Sequence, residues 1–143
     1  MARTLFPILG NDAESTTAAP VALPLAKDCA WDFAQDRPVF RNGSPVAVTG
    51  NEAVRVWAYQ VLRTARRRYE IWSTRFGCDL ERLIGKNFSS EAKRAEASRY
   101  ITECLTVSPY IAEVTVQELN LEDDVFTATV HLTTIYGEED IHV

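Results

Sequence analysis

The chain has 143 residues, of which 46% are hydrophobic and 24% are charged. This length and apolar content suit one globular domain with a modest core, and they argue against disorder over most of the chain. The net charge of −5 disfavours wholesale binding to nucleic acid, although local basic patches stay open. No apolar run approaches the ~20 residues that span a bilayer, and no signal peptide is predicted.

Residues 1–28 are predicted to form an extended N-terminal arm, because Ala, Thr, Ser and Pro dominate the stretch after Asn11. The apolar piece Leu5–Leu9 could dock on a neighbouring protein or belong to a frayed terminus, and the residues alone favour neither. The three cysteines are widely spaced and odd in number, which fits synthesis in a reducing compartment rather than a disulfide framework.

The next segment predicts short strands. Trp31–Phe33 alternates apolar and polar residues, and Asn42-Gly43 separates Val39–Arg41 from Val46–Val48. Asn-Gly supplies the positive φ angles that a two-residue hairpin turn requires. An N-terminal β-hairpin is therefore predicted.

A long helix is predicted to follow. Thr49 and Glu52 have the spacing of a capping box, and Asn51 is an alternative cap. The apolar residues then recur with a 3.6-residue period, at Val54, Trp57, Ala58, Val61, Leu62 and Ala65. The cluster Arg63–Arg68 is placed at the C-terminal end of this helix, where cations complement the helix dipole.

A second helical region is predicted after an irregular aromatic stretch, Tyr69–Gly77. A short helical turn is expected over Cys78–Ile84, with Gly85 as its left-handed cap. Ser89 or Ser90 can then cap a second main helix over roughly residues 90–106.

The last elements are predicted to be a C-terminal antiparallel β-hairpin, with Ile111–Leu119 as its first strand and Val125–Tyr136 as its second. The second strand carries no Lys, Arg, Asp or Glu across 12 residues. Such a strand suits either a free edge that receives a partner strand or a central, covered position. Residues 138–143 are interpreted as a short acidic tail. The fold class is therefore a small single α+β domain.

No catalytic or metal site is predicted, and no cofactor is expected. His131 lacks cysteines or carboxylates at metal-ligand spacing. Glu70, Asp79 and Glu81 are interleaved with arginines, so local ion pairing explains them more simply than glycoside hydrolysis. Arginines beside aromatic residues suit a protein interface, structural pairing or single-stranded nucleic acid.

The stretch Leu62–Lys86 resembles the PBSX-type prophage baseplate wedge proteins, and its Phe76-Gly-Cys-x-Leu-x-x-Leu83 pattern carries the likeness. That family is related to the sheath-initiator wedge proteins of contractile phage tails, once labelled lysozyme-like, and to type VI secretion baseplate proteins. The likeness covers residues 29–137, which defines the wedge and sheath-initiator domain. Further matching segments are Trp31–Phe33, Asn42-Gly43, Val107–Ile111 and Thr134–Gly137.

The resemblance implies a structural, non-enzymatic role in the virion tail baseplate, in a protein made in the host bacterial cytoplasm. The implied partners are larger baseplate wedge proteins, the tail sheath protein and, as further candidates, tube or hub proteins, with six copies per baseplate. Neither a membrane nor nucleic acid is expected as a partner. The alternative functions are a small peptidoglycan hydrolase and a nucleic-acid-binding or adaptor domain.

Two groups of partner-binding residues follow from the same resemblance. The wedge loop would contribute Arg66, Arg68, Tyr69, Trp72 and Phe76. The sheath strand would contribute Val125, Thr127, Thr129, His131, Thr133 and Ile135. Related proteins often carry an acidic residue just before the loop arginine, where this chain has Ala65.

Overall fold

The computed structural model describes residues 22–143, and it shows a mixed α+β domain as the sequence predicts. Two main helices and one short 3-10 turn lie among nine strands of the described chain. The elements in chain order are β1 (Lys27–Cys29), β2 (Trp31–Asp32), β3 (Arg37–Pro38), β4 (Phe40–Arg41), β5 (Ser44–Pro45), β6 (Ala47–Thr49), α1 (Asn51–Arg63), the 3-10 turn (Leu80–Leu83), α2 (Ser90–Leu105), β7 (Ile111–Glu122), β8 (Val125–Thr134) and β9 (Gly137–His142).

The N-terminal part is a set of short antiparallel ladders. The Asn42-Gly43 hairpin is confirmed: β4 pairs with β5 around it, and both turn residues have positive φ, +52° and +77°. The last two residues of the predicted arm, Lys27 and Asp28, belong to β1, which pairs with β6. Leu5–Leu9 lies outside the described residues.

Helix α1 begins and ends differently from the prediction. The residue before it is Gly50, and no side-chain hydrogen bond caps the helix, so the capping box of Thr49 and Glu52 is wrong. Asn51 instead accepts a 2.6 Å hydrogen bond from the Thr134 hydroxyl and donates to the Glu138 carbonyl at 3.3 Å. The helix ends at Arg63, so residues 66–68 lie in the loop beyond it.

Helix α2 matches its prediction closely. The Ser89 hydroxyl accepts a 3.2 Å hydrogen bond from the Ala92 N–H, which satisfies one of the free donors at the helix start. Both helices contribute to one hydrophobic core with the C-terminal sheet. Its largest fully buried side chains are Val56, Val61, Ile101, Cys104, Leu105, Val130, Leu132 and Ile141.

The C-terminal sheet has three antiparallel strands in the order β7-β8-β9. The strand predicted over Val125–Tyr136 is therefore central, and the expectation of a free edge along it is wrong. Most of the predicted tail, residues 138–143, belongs to β9, where Ile141 is buried against the core while Glu138 and Asp140 are exposed. Two register shifts interrupt the β7–β8 ladder, one between Ile111 and Glu113 and one between Val116 and Glu118.

Candidate partner-binding site

A long-range backbone bridge closes the loop between α1 and the 3-10 turn. The Cys78 N–H donates to the Thr64 carbonyl at 2.8 Å, and the Arg66 N–H donates to the Cys78 carbonyl at 3.2 Å. Gly77 lies beside this bridge with φ +103°, and a Cβ there would come within 2.8 Å of the Thr64 carbonyl oxygen. We call the 13 residues between the bridged ends, 65–77, the arginine-aromatic loop.

The two arginines predicted to bind a wedge partner differ in their surroundings. The Arg66 guanidinium lies 3.1 Å from Asp79, and both side chains are less than one quarter exposed. The Arg68 guanidinium lies 3.0 Å from Glu81, and both of these side chains are about half exposed. Arg66 therefore anchors the loop, whereas Arg68 is accessible to a partner because an exposed ion pair holds it only weakly.

The aromatic side chains of the loop form a small stack on the surface. The Trp72 ring lies 4.4 Å from the Phe76 ring with nearly parallel planes, and Phe76 meets the edge of Trp57 on α1. Tyr69 is 53% exposed and Ile71 is 85% exposed. Sequence reasoning did not select Ile71, which extends the exposed apolar surface that Tyr69 and Trp72 contribute to the loop.

Two buried thiols lie behind the loop. Cys78 and Cys104 are both almost fully inaccessible, and the Cys104 thiol donates to the Ile101 carbonyl within α2 at 3.2 Å. The neighbouring Cys78 thiol, together with burial, raises the pKa of Cys104 well above its usual range. Both residues therefore act as small core side chains at this position.

The predicted sheath-strand residues share one face of the sheet. Alternation along β8 places Val125, Thr127, Thr129, His131 and Thr133 outward, while Ala128, Val130, Leu132 and Thr134 are buried. Ile135 lies beyond the end of β8, and its N–H donates to the Tyr110 carbonyl at 3.0 Å. The five strand residues therefore lie on the outer face of the sheet, whereas Ile135 does not belong to the strand.

The open edge of the sheet belongs to β7 instead of β8. Ala128 and Val143 exchange two backbone hydrogen bonds of 2.7 and 3.0 Å, so even-numbered residues of β8 direct their backbone groups toward β9 and odd-numbered residues toward β7. The β7 residues opposite those even-numbered positions therefore direct theirs away from the sheet. They are Val114, Val116, Leu119 and Leu121.

These outward backbone groups of β7 have no hydrogen-bond partner within residues 22–143. The outer edge of β9 is partly closed, because Asn51 donates to the Glu138 carbonyl there. Sequence reasoning missed the β7 edge because it did not recognise β9, and without β9 the strand β8 takes the edge position.

The outer face of the sheet is acidic. Residues 111–143 contain eight carboxylates and no Lys or Arg. Alternation along β7 and β9 places five of them on this face: Glu113, Glu118, Glu122, Glu138 and Asp140. Asp140 lies 2.6 Å from His131 across the β8–β9 ladder. This hydrogen bond, with the charges of Asp140, Glu138 and Glu113, holds the pKa of His131 above its ordinary value of 6.5. Carboxylates of β7 and β9 thus lie on both sides of His131, which belongs to the central strand.

Two of the carboxylates considered for hydrolysis are engaged by arginines: Asp79 by Arg66 and Glu81 by Arg68. Within the described part of the chain, no group of three or more His, Cys, Asp or Glu side chains is arranged to hold a metal ion. None of its helices is long and apolar enough to cross a membrane.

Comparison with known proteins agrees with this arrangement of a loop and a sheet. The profile that describes contractile injection system sheath initiators matches residues 27–137, from β1 to the start of β9. The chain belongs to the sheath-initiator family. It is similar to the phage-like element PBSX protein XkdS of Bacillus subtilis strain 168, with 31% identity over 105 residues, which cover 71% of this chain and 74% of that protein.

Membership of this family gives the sheath initiator a structural role in a contractile phage tail, and the family is not a known enzyme family. The match begins at the residue where β1 begins, and it includes both the arginine-aromatic loop and the ladder of β7 and β8. The two candidate binding features therefore both lie within the part of the chain that the family profile matches.

Proposed function

We propose that this sheath initiator is a baseplate wedge component of a contractile phage tail or tail-like particle. It joins wedge subunits near the tube and templates the first sheath ring by strand addition. The observation that supports this function is the unpaired outer edge of β7, which runs over 12 residues from Ile111 to Glu122.

Strand addition suits this edge for a physical reason. Backbone N–H and C=O groups on an open strand bind a partner strand irrespective of its sequence, while the alternate side chains give specificity. An exposed edge of this length is a risk of aggregation for a free protein, and a permanent partner strand removes that risk. The added strand is then separated from β8 only by β7. The outward residues of β8 that lie nearest to it across β7 are Val125, Thr127, Thr129, His131 and Thr133.

The arginine-aromatic loop is proposed as the contact with the larger wedge proteins. Arg and aromatic residues are enriched among the few side chains that dominate protein interfaces. Arg68, Tyr69 and Trp72 present such a group at the surface, while Arg66 and Phe76 hold its shape from below. Ile71 adds an exposed apolar side chain at the same surface.

The remaining parts of the proposal concern assembly. The sheath initiator is made in the host bacterial cytoplasm and incorporated into the virion tail baseplate in six copies. Its partners are the tail sheath protein and the larger wedge proteins, with tube or hub proteins as additional neighbours.

The strand-addition step is tested with Val114→Pro. The Val114 N–H points away from β8, so proline there removes an edge donor without breaking the existing ladder. We expect a folded variant that enters baseplates normally but reduces the fraction of sheathed particles, counted by electron microscopy, at least tenfold. The contrasting variant is Thr133→Pro, which loses a β7–β8 hydrogen bond and should lower thermal stability. Normal sheath on Val114→Pro particles would exclude strand addition at β7.

The loop contact is tested with the double variant Arg68→Ala/Trp72→Ala. We expect a loss of co-purification with the larger wedge proteins of at least tenfold, with little change in thermal unfolding, because both side chains are about half exposed. Arg94→Ala removes an exposed arginine from α2 and serves as the control. Co-purification at the level of the control would remove the loop from the interface.

A further inference from the structure

The edge strand β7 carries negative charge that nothing nearby neutralises. Glu113, Glu118 and Glu122 belong to no ion pair within the described residues. The strands β7, β8 and β9 contain no Lys or Arg at all, so the sheet cannot balance these charges itself. Any strand added to β7 meets this row of carboxylates along its whole length.

We infer that the strand received by β7 is cationic, with Lys or Arg at the positions that face Glu113 and Glu118. This inference rests on the proposed strand addition and names the chemistry of the partner: a heterologous segment with basic residues on one face of the added strand. Its basic side chains lie on the outer face of the extended sheet, and its other side chains turn toward the core side.

The geometry of the ladder favours these contacts. Glu113 and Glu118 use their backbone groups to pair with Thr133 and Thr129 of β8. A strand on the other side of β7 therefore meets them at non-hydrogen-bonded positions, where the opposing Cα atoms are only about 4.5 Å apart and the side chains are closest. Opposite charges directly across such a pair are stabilising, and like charges are destabilising.

The same charge rule excludes a second copy of this chain as the added strand. If two β7 strands met edge to edge, every register would place carboxylates against carboxylates or neutral residues, because β7 contains no cation. Like-charge repulsion thus protects the open edge from pairing with itself, while it leaves the edge available to a basic strand.

The register of the added strand is restricted as well. Extra residues shift the β7–β8 ladder at Ala112 and at Gln117, so the regular stretch of β7 between them covers only Glu113–Val116. Bulges twist a strand locally and disturb regular pairing. A second regular stretch, Glu118–Glu122, follows the shift at Gln117. A partner strand therefore pairs regularly within these two stretches, which begin at Glu113 and at Glu118.

The test reverses the charge of the edge without touching its backbone. In Glu113→Lys/Glu118→Lys we expect the fraction of sheathed particles to fall at least tenfold, with thermal unfolding unchanged within a few degrees. The control is Glu52→Lys/Glu91→Lys, which makes the same change in net charge at two exposed helix positions and should keep sheathing within twofold of wild type.

The outcomes distinguish the cationic partner strand from the proposed strand addition on which this inference rests. If the charge-reversed edge forms normal sheath while Val114→Pro does not, strand addition stands and the cationic partner is refuted. If Val114→Pro also forms normal sheath, the strand-addition function itself fails. Loss of sheathing in both edge variants, with the control intact, supports the cationic strand.

Discussion

The glycine beside the loop bridge gives a stringent test of how the arginine-aromatic loop is held. In Gly77→Ala the new Cβ would lie 2.8 Å from the Thr64 carbonyl oxygen, 2.8 Å from the Arg66 Cα and 2.9 Å from the Arg66 nitrogen. These are all backbone atoms, so no side chain can rotate away to make room. The bridge between Thr64 and Cys78 must therefore open for alanine to fit.

The magnitude follows from two terms. A positive φ costs a residue with a Cβ about 1–2 kcal/mol relative to glycine. Opening the bridge loses the hydrogen bonds from Cys78 to Thr64 and from Arg66 to Cys78, each contributing about 0.5–1.5 kcal/mol. Together they predict a loss of about 2–5 kcal/mol in the free energy of unfolding.

Gly85→Ala is the matched control. Gly85 also has a positive φ, +72°, but a Cβ there meets no atom within 4 Å, so only the conformational term applies. Urea unfolding followed by circular dichroism should show a midpoint lowered by roughly 1–2.5 M for Gly77→Ala, assuming an m-value of about 2 kcal/mol/M. Equal losses in the two variants would refute the claim that the close approach at Gly77 matters.

Further predictions concern the sheet and its contact with α1. Asn51→Ala should lower the unfolding free energy by about 0.5–1.5 kcal/mol in thermal or urea unfolding, because it removes the 2.6 Å hydrogen bond from the Thr134 hydroxyl, which keeps the Gly137 carbonyl as an acceptor at 3.0 Å, whereas Thr49→Ala should change it by less than about 0.5 kcal/mol. The hydrogen bond to Asp140 raises the pKa of His131, so its contribution to stability is complete below pH 6.5 and disappears as the pH rises through the higher folded-state pKa. Asp140→Asn should remove that pH dependence, and an unchanged profile would contradict the assignment.

The elements predicted best are those whose conformation is determined by residues close in sequence. Asn42-Gly43 adopts positive φ angles whatever surrounds it, and the Ser89 hydroxyl reaches a donor three residues away. The apolar period of α1 likewise points at the core regardless of the partner elements. These features need no knowledge of the rest of the chain.

The elements missed depend on distant partners. Strand β9 contains three consecutive acidic residues, which suggest a solvated tail, but one buried side chain, Ile141, and the ladder to β8 are enough to hold it. The end of α1 depends on the Thr64–Cys78 bridge, and its start on Asn51 binding Thr134. None of these contacts leaves a periodic pattern in the sequence.

The candidate site shows the same difference between local signals and distant contacts. The loop residues Arg68, Tyr69 and Trp72 were found because arginine beside aromatic residues is a local signal, and their exposure fits it. The sequence does not show which strand forms the open edge of the sheet. That depends on whether β9 pairs with β8. The uncharged character of β8 suits a central strand as well as an edge.

The length of the β7–β8 ladder has a mechanical consequence. A partner strand bonded to β7 and pulled along its own axis loads its hydrogen bonds together, because they all lie across the direction of the force. The same strand lifted away from the edge loads them one after another. The joint therefore resists sliding far more than peeling, and axial tension passes through β8 to Val130 and Leu132, which are fully buried in the core.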